Sequence, residues 1–214
     1  PWAFYVFWVG GGTLRYVRVD MTLENGLGGL LGPPQTLVPN ATDHLTLVPH
    51  CNKSNFWVIS HEKGTNAFRV FLINDLGLVT TPRQSNVGST YRVGQEQGCL
   101  KPTASGRRLA AAVAGPGEPG LVEVFDFNDK TGYLTNARTR QEATFAGAYG
   151  LEFSPDGTRL YLTAGTILHQ LDAGSLTTLA TFASPAELGA LQGGPDGRIY
   201  AARVGEEHLG VLVA

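Results

Sequence analysis

The stretch SPDGTRLYLT, residues 154–163, places a tight-turn sequence directly before a run of apolar residues. Similar stretches occur as GPDGRIYAA at residues 194–202 and as TASGRRLAAA at residues 103–112. Asp-Gly and Ser-Gly pairs accommodate the positive backbone φ of a hairpin turn, and the residues that follow fit a buried strand. Each stretch therefore predicts a strand that begins at a hairpin turn, and their recurrence predicts a repeated unit.

The repeated unit contains four short strands. Four equivalent positions after the turn lie about 40 to 50 residues apart: Trp57, Leu109, Leu160 and Ile199. A short strand precedes each turn, and a third strand follows, such as AFRVFLIN at residues 67–74 and LVEVFDFN at residues 121–128. A more polar fourth strand comes next, such as LVTTPRQ at residues 78–84. Units of this length built from short strands are typical of the blades of a β-propeller.

The predicted fold is all-β: one β-propeller domain or fragment over residues 1–214, built from four-stranded antiparallel blades whose strands A to D run from the central channel outward. The chain begins on a B strand and stops after a C strand, so about 4.5 blades are present. We expect part of a seven-bladed propeller; a closed five-bladed ring is the alternative. The predicted blades cover residues 1–40 (partial), 41–90, 91–145, 146–184 and 185–214 (partial).

Composition excludes several classes of protein. The formal net charge is −2, which argues against a nucleic-acid partner recruited by a basic surface. No apolar stretch reaches the roughly 18 residues that a membrane helix requires. The opening PWAFYVFWVGGG lacks the basic flank of a signal peptide, so we expect any export signal to lie outside this chain. Two cysteines, Cys51 and Cys99, are too few for a disulfide framework.

Three stretches carry a resemblance to a known group of proteins: FWVISHEKGTNAFRVFLINDLG (56–77), LVEVFDFNDKTGYLTN (121–136) and YGLEFSPDGTRLYLT (149–163). In this order they resemble the propeller region of large Bacteroidetes cell-surface proteins. Those proteins carry gliding-motility-associated C-terminal regions and are exported by the type IX secretion system. More distantly, the blades resemble lactonase and YVTN-type seven-bladed propellers.

The resemblance implies a secreted or surface-attached protein, extracellular or on the outer membrane, whose propeller has no established catalytic role. The leading hypothesis is therefore a non-catalytic module that binds a protein or glycan through its loops. The alternative is a lactonase-like or other hydrolytic propeller that uses His61, Glu62 or Arg203 near the channel mouth. A purely structural spacer is a third possibility. Incomplete propellers are also expected to associate edge to edge.

Propeller geometry puts the B–C and D–A loops on one face, where binding residues are usually found. The candidate ligand-binding residues project from these loops: His61, Glu62, Asn66, Tyr91, Arg92, Arg203, Glu206 and His208. A second set occupies equivalent A-strand positions and is expected to line the channel: Thr46, Lys101, Glu152 and Gln192.

No catalytic residue, metal site or cofactor is predicted. The five histidines show neither HxH nor HExxH spacing, and no GxSxG motif is present. Asp156 and Asp196 could be considered as a catalytic pair of carboxylates, but their positions in hairpin turns explain both residues.

Overall fold

The computed structural model describes residues 3–212 of the 214-residue chain. These residues form nineteen strands in five separate antiparallel sheets, each of which we call a blade. The second blade contains β5 (Ala41–Pro49), β6 (Phe56–Glu62), β7 (Ala67–Asn74) and β8 (Gly77–Asn86). The third contains β9 (Gly98–Pro102), β10 (Arg108–Val113), β11 (Gly120–Asn128) and β12 (Tyr133–Glu142). The fourth contains β13 (Ala148–Phe153), β14 (Arg159–Ala164), β15 (Ile167–Asp172) and β16 (Thr178–Ala183).

The first and fifth blades are incomplete. The first contains β1 (Ala3–Gly10), β2 (Thr13–Asp20), β3 (Gly29–Leu30) and β4 (Gln35–Val38), and both short strands pair with β2. The fifth contains β17 (Leu188–Gly193), β18 (Ile199–Arg203) and β19 (Gly210–Leu212). The first blade therefore has no strand inside β1, and the fifth has no strand outside β19, within the described residues.

The blades are arranged in series, with the first strand of each blade beside that of the next. The innermost strands β5, β9, β13 and β17 contact one another in that order. In each complete blade the four strands pair in chain order, and no strand pairs with another blade. This arrangement confirms the predicted β-propeller of four-stranded antiparallel blades. Residues 3–212 contain no substantial packing between the first and fifth blades, so a closed five-bladed ring is not shown.

The core lies between the blades, and the third blade buries both faces of its sheet. Leu109 on β10 packs with Trp57 of the second blade, whereas its neighbour Ala110 packs with Leu160 of the fourth. The four positions that identify the repeat occupy the second strand of their blades and are buried: Trp57, Leu109, Leu160 and Ile199.

The predicted hairpin turns are present. Gly157 has a φ of 71° and Gly197 a φ of 77°, conformations that favour glycine. The Asp156 carboxylate accepts hydrogen bonds from the Ser154 hydroxyl at 2.6 Å and the Thr158 amide at 3.0 Å. These bonds lower the pKa of Asp156 to about 2, with the Ser154 hydroxyl as the largest cause. Asp156 therefore builds its turn, as its position in the sequence predicts.

Helical structure is confined to two single turns of 3-10 helix, Glu24–Gly26 and Ala143–Phe145, within the described residues. None of the helices in this part of the chain has the length and apolar character needed to cross a membrane.

Candidate functional site

The loops predicted to bind a ligand lie at one end of the sheets. They are the B–C connections 63–66, 114–119 and 204–209 and the D–A connection 87–97. We call this end of the molecule the loop face.

His61 and Tyr91 are fully buried beneath the loop face, so the prediction that they project from the rim is wrong. Their rings stack with centroids 3.8 Å apart and an interplanar angle of 24°. His61 lies on the same face of β6 as Trp57 and Ile59, because alternate residues of a strand point to the same side. Trp57 and Ile59 pack against the third blade. That alternation is visible in the sequence and would have predicted a buried His61. Tyr91 lies in an irregular loop, where no such signal exists.

Tyr91 fastens the 87–97 loop to the third blade. Its hydroxyl donates a hydrogen bond of 2.9 Å to Glu123 on β11, a carboxylate that is itself fully buried. Glu123 also accepts hydrogen bonds from the Ser89 amide at 2.9 Å and the Thr139 hydroxyl at 2.8 Å. Burial, followed by the charge of Glu123, raises the pKa of Tyr91 well above its usual value. The tyrosine therefore remains a neutral donor.

Gly88, in the same loop, allows this close approach. It has a φ of 79°, and a Cβ placed there would lie 2.7 Å from the Phe125 ring and 2.9 Å from the Glu123 carboxylate. Both the backbone conformation and the available space therefore require glycine at this position.

A second histidine, His44 on β5, belongs to the same buried cluster, although it is not among the residues predicted from the sequence. Its Nε2 lies 2.8 Å from the Ala112 carbonyl oxygen, and its Nδ1 lies 3.0 Å from the Thr42 hydroxyl. Burial lowers the pKa of His44 to about 4. Burial, with a smaller contribution from His44, lowers the pKa of His61 to about 3. Both rings are therefore neutral at pH 7, and neither ring nitrogen of His61 has a partner in the described part of the chain.

Other predicted residues do lie on the surface of the loop face. Glu62 accepts two hydrogen bonds from Arg69, at 2.6 and 2.8 Å. Asn66 accepts a hydrogen bond of 3.2 Å from Asn86. The side chain of Arg92 is 74% exposed, and its guanidinium lies 3.9 Å from the carboxylate of Glu118.

The remaining predicted residues lie on the fifth blade. Arg203 and Glu206 form an ion pair at 3.7 Å, and Glu206 and His208 are exposed. In residues 3–212, no hydrogen bond or ion pair joins these three to Glu62, Asn66 or Arg92. Arg203 also borders an apolar groove of about 530 Å³ between the fourth and fifth blades, next to Phe182 and Val211.

Three of the four channel positions meet at the inner strands. The Lys101 ammonium donates hydrogen bonds of 3.2 Å to Glu152 and 2.7 Å to Gln192. The Gly193 amide donates to the same Glu152 oxygen at 3.0 Å. One lysine therefore links the third, fourth and fifth blades. Thr46 is half-buried on β5 and makes no side-chain hydrogen bond in the part of the chain described.

Residues 3–212 contain no group of three or more histidine, cysteine or acidic side chains arranged to hold a metal ion. Cys51 is exposed and Cys99 is partly buried, and both are free thiols. Burial raises the pKa of the Cys99 thiol.

Neither a protein-family model nor a curated protein sequence matches this chain. Solved structures do match it. A 6-phosphogluconolactonase-like protein from Bacteroides fragilis has a TM-score of 0.63 and 19% identity, over 98% of this chain and 63% of its own. The periplasmic gluconolactonase PpgL of Pseudomonas aeruginosa has a TM-score of 0.60 and 15% identity, over 98% and 68%. The β-propeller domain of Cps50 (Swd1) from Myceliophteria thermophila has a TM-score of 0.59 and 12% identity, over 95% and 67%.

At these identities the similarity shows the fold alone. The chain spans 63% of the Bacteroides fragilis protein's length, less than two thirds. The resemblance to gliding-motility-associated proteins stays a prediction, whereas the resemblance to lactonase-type propellers is supported at the level of fold. The chain is therefore a set of β-propeller blades, the fold that these solved structures share.

Proposed function

We propose that this chain belongs to a secreted bacterial propeller that binds a protein or a glycan on its loop face and leaves its ligand chemically unchanged. The observation that carries this proposal is the buried anchoring of the 87–97 loop by Tyr91 and Glu123. The secreted location rests on the resemblance of the sequence to Bacteroidetes cell-surface proteins.

Further contacts hold the loops of this face against one another. The Gly64 amide donates to the Tyr91 carbonyl at 2.9 Å, and the Tyr91 amide donates to the Thr65 carbonyl at 3.0 Å. Lys63 and Glu96 form an ion pair at 2.5 Å. Binding to loops that are already ordered costs less conformational entropy than binding to mobile ones. This rigidity supports a recognition surface.

The side chains suggested for catalysis are poorly placed for it. A general acid or base must reach the substrate and have a pKa near the working pH. His61 is buried with a pKa of about 3. Glu62 is bonded to Arg69, and Arg203 is paired with Glu206 on another blade. The geometry therefore favours binding over bond cleavage.

A lactonase-like hydrolase is the second candidate. The fold similarity to the Bacteroides fragilis and Pseudomonas aeruginosa structures favours it. Of the side chains suggested for this activity, Glu62 and Arg203 remain near the surface and available to a substrate.

Two assays separate the candidates. The 214-residue protein is applied to a glycan array, and glucono-1,5-lactone hydrolysis is followed in a pH-stat. We expect signals from glycans without uronic acid, which Arg92→Ala abolishes and which Arg107→Ala, at an exposed arginine on the opposite face, retains. We also expect no lactone hydrolysis above the buffer rate. Hydrolysis that is lost in Glu62→Gln or Arg203→Gln would replace this proposal with the enzymatic one.

A further inference from the structure

A cleft of about 320 Å³ lies between the first and second blades, at the end opposite the loop face. It is bordered by β1, β2 and β4 and by the hairpin that joins β7 to β8. Its size falls within the range of small-molecule sites, roughly 300 to 1,000 Å³. It is separate from every residue of the proposed loop-face site.

Strand pairing builds an aromatic wall along this cleft. Tyr5 on β1 is opposite Arg18 on β2, and Phe7 is opposite Tyr16, so all four side chains share one face of the sheet. The Tyr5 ring lies 6.1 Å from Tyr16 and 6.0 Å from Phe7. Both tyrosines are only half-buried. Their rings therefore offer an accessible apolar surface.

Three hydrogen-bond donors along the cleft are uncommitted. The Arg18 guanidinium lies 5.7 Å from the centre of the Tyr5 ring and has no ion-pair or hydrogen-bond partner in residues 3–212. Gln35 uses its carbonyl oxygen to accept a 2.7 Å hydrogen bond from Tyr16, and its amide protons have no partner among the described residues. The Tyr5 hydroxyl accepts a 3.1 Å hydrogen bond from the Leu78 amide and keeps its own proton to donate.

The cleft contains a cation but no acid. Its lining includes no aspartate or glutamate. Asp20, two residues beyond Arg18, is engaged by the amide and hydroxyl of Thr22 at 2.8 and 2.6 Å. A ligand that complements this cleft carries a negative charge, several further acceptors and a flat apolar surface.

We propose that this cleft binds a uronic acid residue of an acidic polysaccharide. The sugar carboxylate pairs with Arg18, because charge-assisted hydrogen bonds between guanidinium and carboxylate are the strongest available here. Ring and hydroxyl oxygens accept from Gln35 and Tyr5. The apolar face of the sugar ring lies on the tyrosine rings. An acidic peptide would satisfy Arg18 but would leave the aromatic wall and the two neutral donors unused.

The test uses tetragalacturonate as the probe, added to the 214-residue protein and followed by titration calorimetry. Saturable binding is expected, and Arg18→Gln should weaken it at least about tenfold. Tyr5→Phe, which keeps the ring but removes one donor, should weaken it by about threefold to tenfold. The matched control Arg107→Gln should bind as the wild type does. High salt should weaken binding, because an exposed ion pair is screened.

Maltotetraose tests whether the cleft recognises charge, and hexaglutamate tests whether it recognises the sugar. The dissociation constant of each should be at least about tenfold higher than that of tetragalacturonate. Equal binding of maltotetraose would show that charge is not recognised, and equal binding of hexaglutamate would show that the sugar is not; either result overturns the proposal. Unchanged affinity in both Arg18→Gln and Gln35→Ala, with thermal unfolding as in the wild type, would also overturn it.

Discussion

Two buried histidines, His44 and His61, connect the stability of this protein to pH. An ordinary histidine has a pKa of about 6.5, and the folded protein lowers these two to about 4 and about 3. The folded state therefore binds fewer protons than the unfolded state below pH 6.5. It follows that stability is full above about pH 6.5 and is lost as the pH falls toward the folded pKa values.

We therefore predict that the free energy of unfolding drops by roughly 2 kcal/mol per histidine between pH 7 and pH 5. His169, whose pKa is also lowered mainly by burial, acts in the same direction. His61→Phe should reduce this drop, because it removes one of the titrating groups. The substitution breaks no hydrogen bond of the ring, since neither nitrogen of His61 has a partner in the described residues. Urea unfolding at the two pH values measures the effect. The exposed control His208→Gln should keep the wild-type pH dependence, and an equal drop in His61→Phe would contradict the prediction.

At the scale of a single loop, Tyr91 is predicted to order residues 87–97. Tyr91→Phe leaves the buried Glu123 carboxylate with one donor fewer, which should cost about 1–3 kcal/mol. We expect faster amide hydrogen exchange in this loop and little change in β5 to β8. Tyr133→Phe, at an exposed tyrosine, is the matched control. Wild-type exchange in the Tyr91→Phe loop would show that the hydroxyl does not hold it.

The inner strands depend on a second element-scale contact. Lys101 and Glu152 have side chains only 18% and 11% exposed, so removing the lysine leaves a largely buried carboxylate. Lys101→Met should destabilise the protein by about 1–3 kcal/mol, whereas Lys130→Met, in an exposed turn, should have almost no effect. Chemical unfolding of the two variants tests this, and equal stabilities would mean that the channel contact contributes little.

Strands and turns were predictable because their signals are local. The Asp-Gly pair at 156–157 fixes a turn through its own backbone and side chain, whatever surrounds it. The alternation of His61 with Trp57 and Ile59 also indicates that its side chain is buried. The prediction missed this because His61 lies next to a loop and was treated as part of it. The Tyr91–Glu123 contact joins residues far apart in the chain through an irregular loop. No local pattern predicts such a contact, because the packing of two blades creates it.

On the scale of the whole molecule, the edge of β1 and the outer face of the first blade are uncovered within residues 3–212. Phe4 and Val6 on β1 are 51% and 45% exposed, on the face turned away from the second blade. Exposed strand edges with apolar side chains favour association between chains. We predict that the 214-residue protein self-associates as its concentration rises and that Phe4→Lys with Val6→Lys reduces this. Sedimentation velocity provides the measurement, with Leu76→Lys as an exposed control; identical behaviour of both variants would place the association elsewhere.

Strand pairing remains inside each blade, and the blades are held to one another mainly by side-chain packing, with a few backbone hydrogen bonds such as that from the Ala41 amide to the Gly12 carbonyl. The outermost units of such a row have a single neighbour, whereas each of the three blades between them has one neighbour on either side. Unfolding should therefore begin at the first and fifth blades and proceed toward the third. Limited proteolysis or mechanical unfolding should leave fragments that contain the second to fourth blades.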